Sequence, residues 1–352
     1  MGGSLYTKNR LHKQDYQVIE QQVLEKLKSI FPNTRIAVPD GFLLKDSYGD
    51  LDILLGQTDI PEETIKEVFG LNKKGYKVAN RITGENYYIN SNVLSFGYND
   101  FQVDLIFMAE QDFDSTLAYL RQSDTSNIVG QMARFSTGYR LTHRGLLYTV
   151  KLDDSHKLGE ILVSKDRKSI HEFLDLDHQQ WENGFDDKEQ MFAWISNSRY
   201  FNKDCFAFES LKHEDRTRNR KRSTYAAFVN WLIVNEFNNH YIPENKQEHL
   251  FRGNLHFYEE SGFWIGQAED LIKHHYEVKR AANIFNATDI TKITGKTGAE
   301  LGKIKRDFNS YLDMTYDLES DKEQVHFVAH QTKEKMYYIF NKFYLTYSES
   351  DV

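Results

Sequence analysis

The chain has little cysteine and little proline: one cysteine, Cys205, and four prolines among 352 residues. A single cysteine excludes an intramolecular disulfide and any zinc site built on several cysteine ligands. No apolar run approaches the ~20 residues that a membrane-spanning helix requires, and no charged and then apolar leader opens the chain. These absences predict a protein of the cytoplasm that has no membrane partner.

The charge balance is moderately acidic, with 52 acidic and 44 basic residues and a formal net charge of -8. That balance excludes a surface coated in positive charge. It does not exclude nucleic acid, because affinity for phosphates comes from local clusters of Lys and Arg. Apolar residues make up 40% and charged residues 27%, as in ordinary globular proteins.

Hydrophobic periodicity predicts strands and helices in the first half of the chain and mostly helices after residue 165. Helices are expected over 15–31, 61–69, 113–121, 124–135, 187–196, 222–236, 299–312 and 322–345, and strands over 36–38, 51–55, 101–108 and within 76–100 and 139–151. This order indicates an α+β fold, in which a small mixed sheet with flanking helices precedes an α-rich carboxyl-terminal region. The expected divisions are 1–110, 111–195 and 196–352.

Three aspartates stand in strands where their carboxylates have a reason to meet. Asp50 and Asp52 are two apart, so they project from one face of a strand while Leu51 and Ile53 face the other. Asp104 interrupts an otherwise apolar strand, where an unpaired charge is costly to bury. If the two strands pair, the carboxylates converge, and oxygen ligands of this kind favour Mg²⁺ or Mn²⁺.

These residues resemble motifs of the polymerase-β superfamily of nucleotidyltransferases, most closely its family X DNA polymerases. The segment Gly49-Asp50-Leu51-Asp52 is similar to the family's Gly-Asp-x-Asp strand, and Val103-Asp104-Leu105 to its third-aspartate strand. The likeness spans residues 35–195 and continues through Tyr119-Leu120-Arg121-Gln122-Ser123-Asp124, Asn127 and the turn Gly138-Tyr139-Arg140-Leu141-Thr142-His143-Arg144-Gly145-Leu146.

The resemblance implies a nucleotidyltransferase palm that uses a nucleoside triphosphate and the 3′-hydroxyl of a DNA or RNA. It implies that Asp50 and Asp52 hold two Mg²⁺ or Mn²⁺ ions, and that Asp104 binds one of them and helps to deprotonate the hydroxyl. Tyr119 would lie beside the sugar of the incoming nucleotide, and Asn127 near its base.

The sequence departs from the family where a Gly-Ser pair should hold the triphosphate. Pro39-Asp40-Gly41-Phe42 stands there instead, and Asp40 would be unfavourable beside a triphosphate unless it turns away. The expected replacements are Lys45 and Ser47, together with backbone amides around Gly41 and Gly49.

Two basic segments in the carboxyl-terminal half are candidates for contact with nucleic acid. Arg216, Arg218, Arg220, Lys221 and Arg222 precede a predicted helix, whose amino terminus gives them no local stabilisation. Lys296, Gly298 and Lys303 lie in a glycine-rich turn that faintly resembles the tail of bacterial-type tRNA nucleotidyltransferases. A solvated basic turn and a simple helix cap are the alternatives.

His326 and His330 are four apart on the last predicted helix, a spacing that can chelate a metal, but no third ligand is evident in the sequence. Packing is the favoured interpretation of this pair.

Three functional hypotheses remain open on the sequence. The first is a transferase that extends nucleic acid in the manner of family X polymerases. The second keeps this chemistry but acts on the 3′ end of tRNA or another RNA. The third, prompted by the missing Gly-Ser pair, is a catalytically silent binding module or structural subunit. Beside these three, a nucleotidyltransferase that modifies a protein also stays open, although the basic cluster and the long helical tail suit a polymeric acceptor better. The pattern gives no information on template use or oligomeric state.

Overall fold

A mixed sheet carries the three aspartates in the computed structural model, which describes residues 10–74, 77–78, 81–82, 86–153, 156–241, 252–262 and 264–350. The strands are β1 (Leu11–His12), β2 (Ile36–Ala37), β3 (Ser47–Tyr48), β4 (Leu51–Leu55), β5 (Lys73–Lys74), β6 (Lys77–Val78), β7 (Arg81–Ile82), β8 (Asn86–Asn90), β9 (Val93–Tyr98), β10 (Phe101–Phe107), β11 (Tyr139–Thr142), β12 (Gly145–Lys151) and β13 (Lys157–Ser164). The main sheet has the order β2-β4-β10-β9-β8-β5. Residues 76, 79–80 and 83–85 of the predicted 76–100 strand region lie outside the described residues.

The helices agree with the predicted α+β class. They span Lys13–Ile30, Glu62–Phe69, Phe113–Leu120, Thr125–Ser136, Arg167–Phe173, His178–Asn183, Lys188–Ser196, His213–Arg220, Ser223–Val234, Tyr258–Ser261, Trp264–Ile284, Ala287–Thr294, Gly298–Tyr316, Asp321–Ala329 and Lys333–Ser350. Residues 252–256 are also helical. The predicted strand region 139–151 forms an antiparallel hairpin, β11 with β12.

The two faces of β4 carry different kinds of side chain. Leu51, Ile53 and Leu55 are fully buried in the main core, against the first helix and the strands beside β4. Leu54 faces the opposite side and packs with Met108 and Phe113 in a second cluster. Asp52 shares the Leu54 face because alternate residues of a strand point the same way. That face is therefore apolar at one end and acidic at the other.

Residue contacts divide the chain into two units, each made of two stretches of sequence. The first comprises Met1–Tyr148 and Leu162–Gly262, and the second comprises Thr149–Ile161 and Phe263–Val352. The main sheet and the segment 111–195, apart from residues 149–161, belong to the first unit. The expected boundary between 195 and 196 falls inside that unit.

The second unit contains the helical carboxyl-terminal part of the chain. Its core is a cluster of buried apolar side chains: Ile290, Ile304, Phe308, Leu312, Met336, Ile339, Phe340 and Phe343. The single helix predicted over 322–345 is wrong, because the chain leaves the helix at His330 and begins another at Lys333.

Within the described part of the chain, no helix is both long enough and apolar enough to cross a bilayer.

Candidate functional site

The pairing of β4 with β10 brings the three aspartates together. The strands are parallel neighbours, and Asp104 stands directly opposite Asp52. Asp50 precedes β4 by one residue and therefore lies on the same face as Asp52. One carboxylate oxygen of each aspartate lies within 4.8 Å of the other two. The condition on which the sequence makes the cluster depend, the pairing of these two strands, is thus met. The pairing brings Asp104 into one cluster with residues more than fifty positions earlier in the chain.

The electrostatics of this cluster are unfavourable without a cation. Burial is the largest cause of a raised pKa at Asp52, and the charges of Asp50 and Asp104 raise it further. Burial also raises the pKa of Asp104 to about 6, although hydrogen bonds from Ser95 and Gln102 act in the opposite direction. Three carboxylates this close cannot all be ionised cheaply unless positive charge is nearby.

Asp104 offers an oxygen that suits a metal ion. Gln102 donates a hydrogen bond of 2.8 Å from Nε2 to Oδ2 of Asp104, which fixes the orientation of the carboxylate. Among the described residues, the buried Oδ1 of Asp104 has no hydrogen-bond partner. A buried carboxylate oxygen without a partner is costly, and a bound divalent cation would remove that cost. The donor set of three aspartates therefore fits Mg²⁺ or Mn²⁺.

Lys45 is the cation most closely associated with the aspartates. The charges of Asp50 and Asp52 both act on it and favour its protonated form, whereas burial lowers its pKa. Its ammonium group lies 4.2 Å from the ring centre of Tyr48. The charges of Arg10 and Lys188 are also close enough to lower the pKa of Lys45. Lys45 therefore links the acidic cluster to two further cations, which act on Lys45 itself.

Arg10 organises the segment that contains Ser47. Its Nε donates a hydrogen bond of 3.1 Å to the Ser47 hydroxyl, and its second terminal nitrogen donates one of 2.7 Å to the Ser47 carbonyl. Ser47 itself belongs to β3, which pairs with β1 next to Arg10. The Ser47 hydroxyl, which is expected to bind phosphate, therefore already accepts a hydrogen bond from Arg10. No pattern in the sequence points to this arginine. Gly49 is buried in the bend between β3 and Asp50.

Asp40 turns toward an arginine. Its Oδ2 lies 3.0 Å from Nε of Arg121, an ion pair without hydrogen-bond geometry. The Arg121 guanidinium also lies 4.5 Å from the ring centre of Trp181. The negative charge that seemed incompatible with a triphosphate is thus compensated within the protein. Arg35 is also engaged within the protein, because it is paired with Asp114 at 2.5 Å.

The segment expected to face the nucleotide has an unusual backbone. Gln122 and Ser123 have φ of 57° and 66°, so two consecutive residues with side chains adopt the left-handed conformation. The backbone amide of Gln122 donates to the Asp40 carbonyl at 2.7 Å, and its buried side chain donates to the carbonyl of Trp181 at 3.1 Å. Such strained conformations cost about 1–3 kcal/mol each and tend to occur at functional sites.

Tyr119 and Asn127 lie on either side of this segment. Tyr119 is half-buried and close enough to Arg167 for their charges to interact. The Asn127 side chain donates a 3.3 Å hydrogen bond to the side chain of Asn219. Asn127 is therefore joined to the helix that carries most of the basic cluster.

The basic cluster is arranged differently from the prediction. Arg216, Arg218 and Arg220 form part of the helix His213–Arg220, and Arg222 begins the next helix. Arg218 and Arg220 stand in the last turn of their own helix, where cations are favourable, so the expected conflict with a helix amino terminus is wrong for them.

The five cations of this cluster fall into two groups. Arg216 is half-buried and donates to the carbonyls of Glu209 and Leu211, while Arg222 is paired with Asp124. Arg218, Arg220 and Lys221 are exposed. Arg218 and Lys221 line an open cleft of about 690 Å³. The other residues that line it are Asp124, His213, Glu214, Thr217 and Arg222.

The glycine-rich turn of the second unit connects two helices. Gly295 and Gly298 have φ of 69° and 59°, so both positions use the freedom of glycine. Lys296 lies 3.4 Å from Glu300, and Lys303 extends over the ring of Tyr347. A helix cap explains this geometry without a ligand.

No family model matches the chain, and no curated protein matches it.

Proposed function

We propose that this protein is a metal-dependent nucleotidyltransferase that adds nucleotides from nucleoside triphosphates to a nucleic-acid 3′-hydroxyl, on a palm resembling that of family X DNA polymerases. The single observation that carries the proposal is the register of β4 with β10, in which Asp104 faces Asp52 and keeps a buried oxygen without a partner among the described residues.

The proposed chemistry divides among three aspartates. Asp50 and Asp52 would hold two ions of Mg²⁺ or Mn²⁺, and Asp104 would hold one of them. The ions, when bound, would supply charge neutralisation around the transferring phosphoryl group. Asp104 would accept the proton of the attacking 3′-hydroxyl, and Gln102 would keep its carboxylate oriented for that step.

The residues around the aspartates suit a triphosphate. Lys45 supplies a positive charge that interacts with Asp50 and Asp52, and Gly49 would let the backbone approach a phosphate closely. The ion pair of Asp40 with Arg121 removes the main electrostatic objection raised by the sequence. Tyr119 and Asn127 would contact the sugar and the base, as the resemblance implies.

The acceptor would bind through phosphate contacts with the exposed cations Arg218, Arg220 and Lys221. None of these three forms an ion pair with another described residue, whereas Arg216 and Arg222 are engaged within the protein. Contacts of this kind position a nucleic acid and make binding sensitive to salt. Lys296, Gly298 and Lys303 would be a second contact surface if the acceptor is an RNA end.

The test is extension of labelled DNA and RNA primers, with and without template, in Mg²⁺ and in Mn²⁺. We expect extension by the unaltered protein and none by the double variant Asp50→Asn/Asp52→Asn. Asp59→Asn is the matched control, because Asp59 is an exposed aspartate just after β4. Preference for a tRNA that lacks its 3′ end would favour the RNA end-transferase.

The role of Asp104 can be separated from nucleotide binding. We expect Asp104→Asn to abolish transfer while nucleotide binding stays largely intact. Transfer that persists in this variant would contradict the three-carboxylate mechanism. Absence of both extension and Mg²⁺-dependent nucleotide binding in the unaltered protein would favour a catalytically silent binding module.

A further inference from the structure

A second cluster of metal-ligating side chains lies in the helical second unit. The helix Trp264–Ile284 carries Glu277, and the helix Asp321–Ala329 carries His326 and is followed directly by His330. One potential ligand atom from each of the three residues lies within 4.8 Å of the other two. Glu277 supplies a third potential ligand. It is not evident in the sequence because 49 residues separate it from His326.

The geometry of His326 and Glu277 is close to that of a chelating pair. Nδ1 of His326 lies 2.9 Å from Oε1 of Glu277. Two ligand atoms held tetrahedrally at zinc distances of 2.0–2.1 Å would be separated by about 3.3 Å. A shift of a few tenths of an ångström would therefore admit an ion between them. The two imidazole rings have centroids 4.2 Å apart.

The hydrogen bonding of His330 prepares it to bind a metal. Its Nδ1 lies 2.8 Å from the carbonyl oxygen of His326. A carbonyl can only accept, so Nδ1 carries the proton and Nε2 presents its lone pair. This arrangement, in which the second ring nitrogen donates to a carbonyl, is usual for histidines that ligate metals.

Exposure and charge at the cluster also suit a cation. The Glu277 side chain is only 12% exposed, whereas that of His326 is 55% exposed, so the carboxylate is held in place and an ion can reach the ring. Lys273, one turn earlier, opposes cation binding through its charge, but it is exposed and screened by solvent.

We propose that Glu277, His326 and His330 form a site for one divalent cation of the Zn²⁺ class. Two imidazole nitrogens and one carboxylate oxygen suit Zn²⁺ and its neighbours in the first transition row, whereas the three aspartates of the first unit suit Mg²⁺. Water would complete the tetrahedron, because a three-ligand site leaves one position open. The bound ion would link the two helices that supply the ligands.

The test uses the full chain carrying Asp50→Asn/Asp52→Asn, so that the aspartates do not take up the added metal. Binding of Zn²⁺ is measured by calorimetry, and Co²⁺ is used as a probe through its d–d absorption, which is strong in tetrahedral sites. We expect one equivalent of Zn²⁺ to bind and the Co²⁺ spectrum to indicate nitrogen and oxygen ligands in a tetrahedral arrangement.

The matched control is His156→Ala. His156 belongs to the same unit and lies 3.0 Å from the carboxylate of Asp153, but this pair is not part of any three-ligand group among the described residues. We expect His330→Ala and Glu277→Gln to weaken Zn²⁺ binding by at least about tenfold, and His156→Ala to change it by less than about twofold.

Unfolding curves recorded in the absence of metal establish that each variant is folded. Equal Zn²⁺ affinity in His330→Ala and the parent protein would overturn the proposal, as would failure of the parent to bind Zn²⁺ at all. Neither outcome bears on nucleotidyl transfer, which depends on the aspartates of the other unit.

Discussion

Replacing Asp104 with Asn should stabilise the metal-free protein even though it abolishes the proposed activity. Asn has nearly the same shape as Asp and can still accept the hydrogen bond from Gln102. It removes one of the three negative charges that burial and mutual repulsion make costly. The site is therefore expected to reduce the stability of the fold until a cation is bound.

The size and sign of the effect follow from the pKa of Asp104, which burial raises from 3.8 to about 6. The folded protein binds this proton more tightly than the unfolded chain does. The contribution of Asp104 to the free energy of unfolding is then greatest below about pH 4, falls as the pH rises through the window between about 4 and 6, and stays reduced above it. At 1.36 kcal/mol per pKa unit, the full penalty is about 3 kcal/mol. Part of it is lost to the imperfect hydrogen bonding of the new amide, so we expect Asp104→Asn to gain about 1–3 kcal/mol near pH 7.5.

Urea unfolding followed by tryptophan fluorescence measures this gain. Trp181, Trp194 and Trp231 belong to the first unit, so the signal reports mainly on the fold that holds the aspartates. In EDTA, the gain should be present near pH 7.5 and absent near pH 4. Excess Mg²⁺ should stabilise the unaltered protein more than the variant. A variant that is less stable near pH 7.5, or a difference that is the same at both pH values, would refute the reasoning.

Two further substitutions test the packing of the first unit. Gly145→Ala should lower the free energy of unfolding in urea by at least about 1–3 kcal/mol, because φ is 117° and the added carbon would overlap the Ser164 carbonyl. The control is Gly70→Ala, also at positive φ but in open space, which should lower it less. Arg121→Met should cost about 1–2 kcal/mol and weaken nucleotide binding, because it removes the ion pair with Asp40 and the contact with an indole ring. A loss below about 0.3 kcal/mol would mean that Arg121 contributes nothing measurable to the fold.

The sequence was informative where local periodicity determines the structure. Alternation around Asp52 and the apolar run around Asp104 predict two strands, and both strands are present. Their parallel pairing, on which the meeting of the carboxylates depends, is a finding of the structure. The first helix was predicted within two residues at each end, because its apolar positions recur at helical spacing.

What the sequence could not predict are contacts between residues distant along the chain. Arg10 donates hydrogen bonds to Ser47, Arg121 is paired with Asp40, and Glu277 lies beside His326 and His330. In each case the fold brings together residues that the local sequence does not connect. The helix His213–Arg220 was missed for a different reason. It is almost entirely polar, so its sequence carries no apolar stripe from which a helix could be inferred.

The division of each unit into two stretches has a consequence for synthesis on the ribosome. Residues 149–161 are synthesised about a hundred residues before the helices of their own unit. Gly159 in this segment packs next to Leu271, which belongs to the first of those helices. At the usual 5–20 residues per second, this segment waits on the order of 5–20 s for its partner. Neither unit can complete its fold when its first stretch leaves the exit tunnel, because its second stretch has not yet been synthesised. A chain released before residue 264 would keep the strand β13 but lack the helices against which its first half packs, which makes such a fragment a natural substrate for chaperones and proteases.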